Sequence, residues 1–164
     1  MRGLVLYRSH YGNTKLVAEA LARELGAAGV EAQVQDLRRK LPDLAPFDVI
    51  LVGAPTRMAN ACGKARRLLK KIRKRGFTSG RVAVFDTYGP VPMDPVELEK
   101  GRKWLYPGAA GILQAIAAAQ GLSVHPTTLR CEVAGLKGPL AEKELDKAKP
   151  FVRDLIAALK TKTA

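Results

Sequence analysis

With 164 residues, 47% of them apolar, the chain can bury a substantial core and is too apolar to be disordered by composition. Its longest apolar runs are too short to cross a bilayer and no charged, apolar, cleavable leader precedes the first strand, so one domain over residues 1–164, cytoplasmic, is expected. The formal charge of +13, from 28 basic and 15 acidic residues, points to an acidic partner, to nucleic acid or to a solvated basic surface.

Leu4 to Tyr7 (LVLY) is continuously apolar, as in a strand covered on both faces. Asn13 to Gly26 carries Leu16, Val17, Ala20, Leu21 and Leu25 at helical spacing and stops at a glycine. Val30 to Leu37 alternates apolar and polar residues, the pattern of a half-exposed strand. Phe47 to Pro55 (FDVILVGAP) is again an apolar run. Gly63 to Arg75 reads as a helix with Ala65, Leu68, Leu69 and Ile72 inward, and Arg81 to Gly89 as a third buried strand. Pro90 to Pro107 is irregular, with a short helix expected over Pro95 to Trp104; Gly108 to Gln120 is an Ala-rich helix. Leu122 to Val133 reads as an alternating edge strand interrupted by Pro126. Pro139 to Leu159 is the last helix, which Pro150 should kink or split.

Strand and helix alternate five times, which means an α/β fold with a parallel sheet and helices on both faces. Strands one, three and four are apolar throughout and belong in the middle; strands two and five alternate and belong at the edges. The doubly wound five-stranded order 2-1-3-4-5 follows. Ligands of such sheets bind beyond the carboxyl ends of the strands, at the switch between strands one and three, where Arg8–Thr14, Pro55–Cys62 and Thr87–Pro95 meet.

The first of these loops, within YRSHYGNT, opens a helix, whose first amides lack internal partners and attract anions. Ser9 and Thr14 add hydroxyl donors, Asn13 an amide, and Gly12 allows close backbone approach. It is neither a P-loop nor a GxGxxG turn. The residues fit a phosphate loop; the alternative is an ordinary turn capped by Asn13 or Ser9. His10 could donate to a phosphate or simply be solvated. Tyr88 is a stacking candidate or a strand-end cap; Trp104 and Tyr106 could cover a ligand or pack under their own loop. Cys62 and Cys131 form no CxxC motif, and neither a disulfide nor a metal site is expected.

YRSHYGNT resembles the S/T-x-x-G-x-T phosphate loop of flavodoxin-like FMN proteins. GAPTRMAN, Gly53 to Asn60, resembles the GxPTRxxN stretch of NAD(P)H:quinone oxidoreductases of the tryptophan-repressor-binding-protein type. DTYG, Asp86 to Gly89, stands where the third flavin loop belongs, and GLKGPLAEKELDKAKPF resembles the end of short flavodoxin-domain proteins. The resemblance implies a flavodoxin-like fold and non-covalent FMN. It places Ser9, His10, Tyr11, Gly12, Asn13 and Thr14 at the phosphate. Pro55, Thr56, Arg57, Met58, Ala59 and Asn60 would meet the ribityl chain and ring, with Thr87, Tyr88 and Gly89 on the other side. One departure stands out: electron-carrying flavodoxins usually flank the ring with aromatic and acidic residues, whereas the second loop here brings Arg57 and Met58.

Three functions fit these features. An FMN redox protein could pass electrons between cytosolic partners, steering an acidic one with the basic helix Lys64 to Arg75. No acidic residue occurs between Asp48 and Asp86, so that helix is unneutralised in its own neighbourhood. A small FMN-dependent NAD(P)H or quinone oxidoreductase is the alternative that PTRMAN favours. A basic nucleic-acid-binding module on an apo scaffold is the third, disfavoured because no aromatics interleave with the basic run.

Overall fold

The computed structural model describes residues 1–161. Its sheet runs β2-β1-β3-β4-β5, with all pairs parallel: β1 is Arg2–Tyr7, β2 Glu31–Asp36, β3 Val49–Pro55, β4 Arg81–Tyr88 and β5 Ser123–Val124. A sixth segment, β6 (Leu129–Glu132), also pairs with β4. β5 and β6 are the two halves of the expected fifth strand, parted around Pro126. The sheet thus has the expected order, with its last position filled by a broken strand.

Alternation along the central strands divides the core. Leu4, Leu6, Ile50, Val52, Val82 and Val84 face α2 (Gly63–Lys71) and α4 (Gly108–Ala119), whose Leu68, Leu69 and Leu113 meet them. Val5, Leu51, Ala83 and Phe85 face α1 (Asn13–Ala27) and α5 (Ala148–Thr161), which supply Leu21, Leu25, Phe151 and Leu155. Burial of each such side chain stabilises by about 1.5–3 kcal/mol relative to exposure. β2 is an edge strand whose residues, Val34 among them, stay exposed or half-buried up to Asp36. Phe85 lies so close to Gly53 that a Cβ there would fall 2.1 Å from the ring, which is why β3 has a glycine in mid-run.

Two helices differ in extent from expectation. The helix expected over Gly63–Arg75 ends as α2 at Lys71, and Arg73–Arg75 tightens into a 3-10 turn before Gly76 at φ 93. The last helix does not begin at Pro139: a 3-10 turn over Glu144–Lys147 leads into α5. Pro150 neither kinks nor splits it, because it stands in the first turn, where backbone N–H groups have no intrahelical acceptor. α3 (Pro95–Leu105), capped by Asp94 accepting from the Val96 and Glu97 N–H groups, lies over the carboxyl edge of the sheet and buries only Leu105. Among the described residues no helix is long and apolar enough to cross a membrane.

Candidate cofactor site

The carboxyl ends of β1, β3 and β4 open into a cleft of about 580 Å³, a size suited to a small molecule. Between β1 and α1 the chain turns on Gly12, whose φ of 93 is costly for any residue with a Cβ. Ser9 Oγ accepts the Gly12 N–H at 3.0 Å, which folds the loop and leaves the hydroxyl proton to donate outward. Thr14 is buried, and its hydroxyl meets that of Thr87 at 2.8 Å. One of the pair donates to the other, so one hydroxyl proton remains for the cleft. The first-turn N–H groups of α1 add their partial positive charge, with no acidic residue in that turn to oppose it.

Neither Asn13 nor Ser9 caps α1 through its side chain. The Asn13 amide instead donates to the Lys137 carbonyl at 3.1 Å and packs on Gly138, where a Cβ would fall 2.5 Å from it. Asn13 therefore fastens the 134–139 loop onto the start of α1. His10 and Tyr11 are exposed at the mouth. Burial, then the charges of Arg8, Arg57 and Arg38, hold the His10 imidazole below its ordinary pKa.

The second loop contributes Pro55, Thr56, Arg57 and Met58 to the lining. Arg57 and Asn60 exchange backbone hydrogen bonds of 3.1 and 3.0 Å across Met58 and Ala59, whose φ values are 50 and 60. This is the geometry of a type I′ turn, at a cost of about 1–2 kcal/mol for each residue with a side chain. The Ala59 N–H donates to the Trp104 carbonyl at 2.9 Å, which ties the turn to α3. Ala59 and Asn60, like Gly12, shape the loops without lining the cleft. Thr87, Tyr88 and Gly89 line it from β4, and Trp104 from α3; Tyr106 does not, and instead lies 6.4 Å from the Tyr88 ring.

Two residues that the sequence did not single out organise these walls. Asp86, fully buried near the end of β4, is in register with Arg130 of β6. Its Oδ2 accepts from the Thr56 hydroxyl at 2.7 Å, the Ala110 N–H at 3.1 Å and Arg130 Nη2 at 2.9 Å; its Oδ1 accepts from Arg130 Nε at 2.9 Å. Thr56 Oγ1 in turn accepts the Ala109 N–H at 2.7 Å. The guanidinium also donates to the Leu105 carbonyl and lies 4.0 Å from the Tyr88 ring centre and 5.1 Å from that of Tyr106. Thr56 and Tyr88, at the ends of the adjacent strands β3 and β4, are thus both held by one buried ion pair. Burial foremost, with Tyr106 adding to it, raises the Tyr88 phenol pKa against the pull of Arg130. Gly108, at φ +73, leaves room for this pair, since a Cβ there would fall 2.2 Å from Arg130 Nη2. A parallel-strand register pair is the signal that would have revealed it, and that needs the register.

The donor set suits FMN. No residue lining the cleft is acidic. Hydroxyls and helix amides gather at one end, as a phosphate requires, and Tyr88 and Trp104 offer flat apolar surface elsewhere in the lining. Cys131 is no redox group, because burial foremost pushes its thiol up to about 12.

Known structures share this architecture. Rubredoxin oxygen:oxidoreductase from the anaerobe Desulfovibrio gigas matches with a TM-score of 0.74 at 15% identity, over 99% of this chain but only 37% of that one. A flavodoxin from the domain Archaea matches at 0.67 and 23% identity, over 98% of this chain and 99% of that one. Oxidised flavodoxin 1 from Bacillus cereus matches at 0.71 and 19% identity, over 96% and 98%. In sequence, residues 4–104 match the flavodoxin domain. With the sheet order, the three converging loops and the acid-free cleft, that match assigns the chain to the flavodoxin-domain family of FMN redox proteins.

Proposed function

We propose that this chain is a single-domain FMN-binding electron carrier that works between cytoplasmic redox partners. The observation that carries the reading is the acid-free cleft, with hydroxyl and helix-amide donors at one end and aromatic surface elsewhere in the lining. FMN, once bound, supplies one- and two-electron chemistry. The residues hold and orient it: Ser9, Thr14 and the α1 amides the phosphate, Thr56 and Met58 the middle, Tyr88 and Trp104 the ring. The 15 positions expected from the sequence remain the proposed site, with Gly12, Ala59 and Asn60 acting through loop shape and Asn13 through the 134–139 loop.

The partner is an acidic protein. α2 starts at the second loop, and it and the turn after it expose Lys64, Arg67, Lys70, Lys71, Arg73, Lys74 and Arg75 from there to the amino edge of the sheet, where Gly76 abuts Asp43 and Ala45; none of them pairs with a carboxylate among the described residues. Such a field raises association rates with an acidic surface and weakens with salt. Met58, Met93 and Trp104 stand 76%, 99% and 48% exposed around the mouth and supply apolar contact. A second reading, a small NAD(P)H or quinone oxidoreductase, is favoured by Arg57 in the lining; NADPH oxidation that depends on added quinone would select it. The deciding experiment is an FMN titration of apo-protein and of Thr14→Ala. Loss of one hydrogen bond to a charged group predicts about 10- to 100-fold weaker binding. Equal affinity would refute the phosphate-loop assignment.

A further inference from the structure

The three neighbouring strands β2, β1 and β3 each leave the carboxyl edge of the sheet into an arginine: Arg38, Arg8 and Arg57. Tyr7 is in register with Asp36 on one side and Gly53 on the other, and the Arg8 N–H extends the ladder to the Gly53 carbonyl at 3.0 Å. The outer strands of this trio are only about 10 Å apart. His10 and Arg57 line the same cleft, and Arg8 lies two residues before His10 in the first loop. Arg38 is neutralised, since its Nε and Nη2 bond the Asp36 carboxylate at 3.0 and 2.6 Å. Arg8 donates to the Ser9 carbonyl, and neither it nor Arg57 meets a carboxylate among the described residues.

Like charges gathered at one edge repel, and a single bound phosphate does not require them here. The Ser9 hydroxyl, one proton of the Thr14–Thr87 pair and the first amides of α1 already supply its donors. Arg8, outside the proposed FMN positions, adds a charge that this set does not use, beside His10 and Arg57 of the cleft lining. Two guanidinium groups suit a phosphomonoester, which accepts paired N–H bonds in their plane. Beside them Tyr11 is 54% exposed, its ring 6.4 Å from that of His10, and offers a face to a nucleobase.

We propose that Arg8, His10 and Arg57 form a second anion subsite at the cleft mouth, which takes the phosphomonoester of a dissociable nucleotide while FMN fills the cleft. The subsite rests on the FMN reading. It gives the cationic mouth a small-molecule ligand in addition to the protein partner.

The test uses FMN-loaded protein, with loading checked by absorbance near 450 nm, and follows the imidazole resonances by NMR. The chain has two histidines, so His10 is assigned against His125. Adenosine 2′,5′-bisphosphate is titrated in one arm and inorganic phosphate in the other. The expected result is a saturable shift of His10 but not His125, at least 10-fold tighter for the nucleotide. Arg8→Gln, at a residue outside the proposed FMN positions, should weaken it 10-fold or more while FMN stays bound. Loaded protein that stays silent where apo-protein responds overturns the subsite alone, because the cations then serve the FMN phosphate. Equal affinity for inorganic phosphate, or an affinity unchanged in Arg8→Gln, also overturns it. A protein that takes up no FMN overturns both readings.

Discussion

Replacing Arg130 by methionine keeps much of the side-chain bulk and removes the cation that faces Asp86. Asp86 Oδ2 would keep the Thr56 hydroxyl and the Ala110 N–H, but Oδ1 would lose its partner while fully buried. Stripping one partner from a buried ion pair costs about 3–5 kcal/mol, because the remaining charge stays desolvated. Loss of the guanidinium stacked 4.0 Å from Tyr88 adds about 0.5–2 kcal/mol. Asp86→Asn alone is also destabilising, since its amide would turn an N–H toward Arg130 Nε. In the double variant the charge conflict is gone from both sides, so the two effects should not add: a coupling of about 1–3 kcal/mol is expected. Urea unfolding of the four proteins measures it. Additivity within about 0.5 kcal/mol would refute the claim that this pair is a unit.

Arg57→Gln should lower the midpoint potential of bound FMN. A cation ~10 Å from the ring contributes about 0.4–1.7 kcal/mol, or roughly 20–70 mV per electron, for effective dielectrics of 80 to 20. Dye-equilibration potentials decide the sign, and an upward move contradicts the reasoning. Gly108→Ala should destabilise by about 1–3 kcal/mol through its positive φ and the clash with Arg130, as read from thermal unfolding; a neutral effect means that the pair sits elsewhere. His125 is buried against Phe151, and neither ring nitrogen has a hydrogen-bond partner among the described residues. Burial first, then Arg81, depress its pKa below 6.5, against the weaker opposite pull of Asp154. A depressed folded-state pKa means that stability is complete above pH 6.5 and falls below it, as the unfolded chain binds the proton more tightly. His125→Leu should flatten unfolding free energy between pH 7 and 5; a slope unchanged from the parent would rule His125 out as its source.

Much of this was legible from side-chain pattern alone. Unbroken apolar runs at Leu4–Tyr7 and Val49–Ala54 can only be central strands, and the alternation at Leu129–Val133 only an edge, so the order of the sheet followed. The loops followed from the order. What escaped the sequence depends on long-range register or on backbone shape. Asp86 and Arg130 are 44 residues apart and become neighbours only once β6 pairs with β4. The turn at Met58–Ala59 lacks the Asn-Gly signature of its type, because tertiary ties to Trp104 hold it rather than local preference. Asn13 looked like a helix cap or a phosphate donor, yet its amide answers to a carbonyl 124 residues away. Pro150 has the look of a breaker only while nothing local shows that α5 starts at Ala148, two residues before it.

The break in the last strand has an arithmetic of its own. Between the Val82–Val124 and Phe85–Leu129 pairs, β4 advances three residues and its neighbour five. The excess is even, so Leu129 and Cys131 still point to the α1–α5 side and Arg130 still points to Asp86. Variation in the length of residues 125–128 should therefore be tolerated in steps of two. Deleting Pro126 and Thr127 together preserves the handedness of every later side chain. Deleting either one alone sends a guanidinium into the α1–α5 core and leaves a carboxylate stranded. Unfolding midpoints of the three deletions would reveal this even–odd rule, and a ranking by number of residues removed would dismiss it.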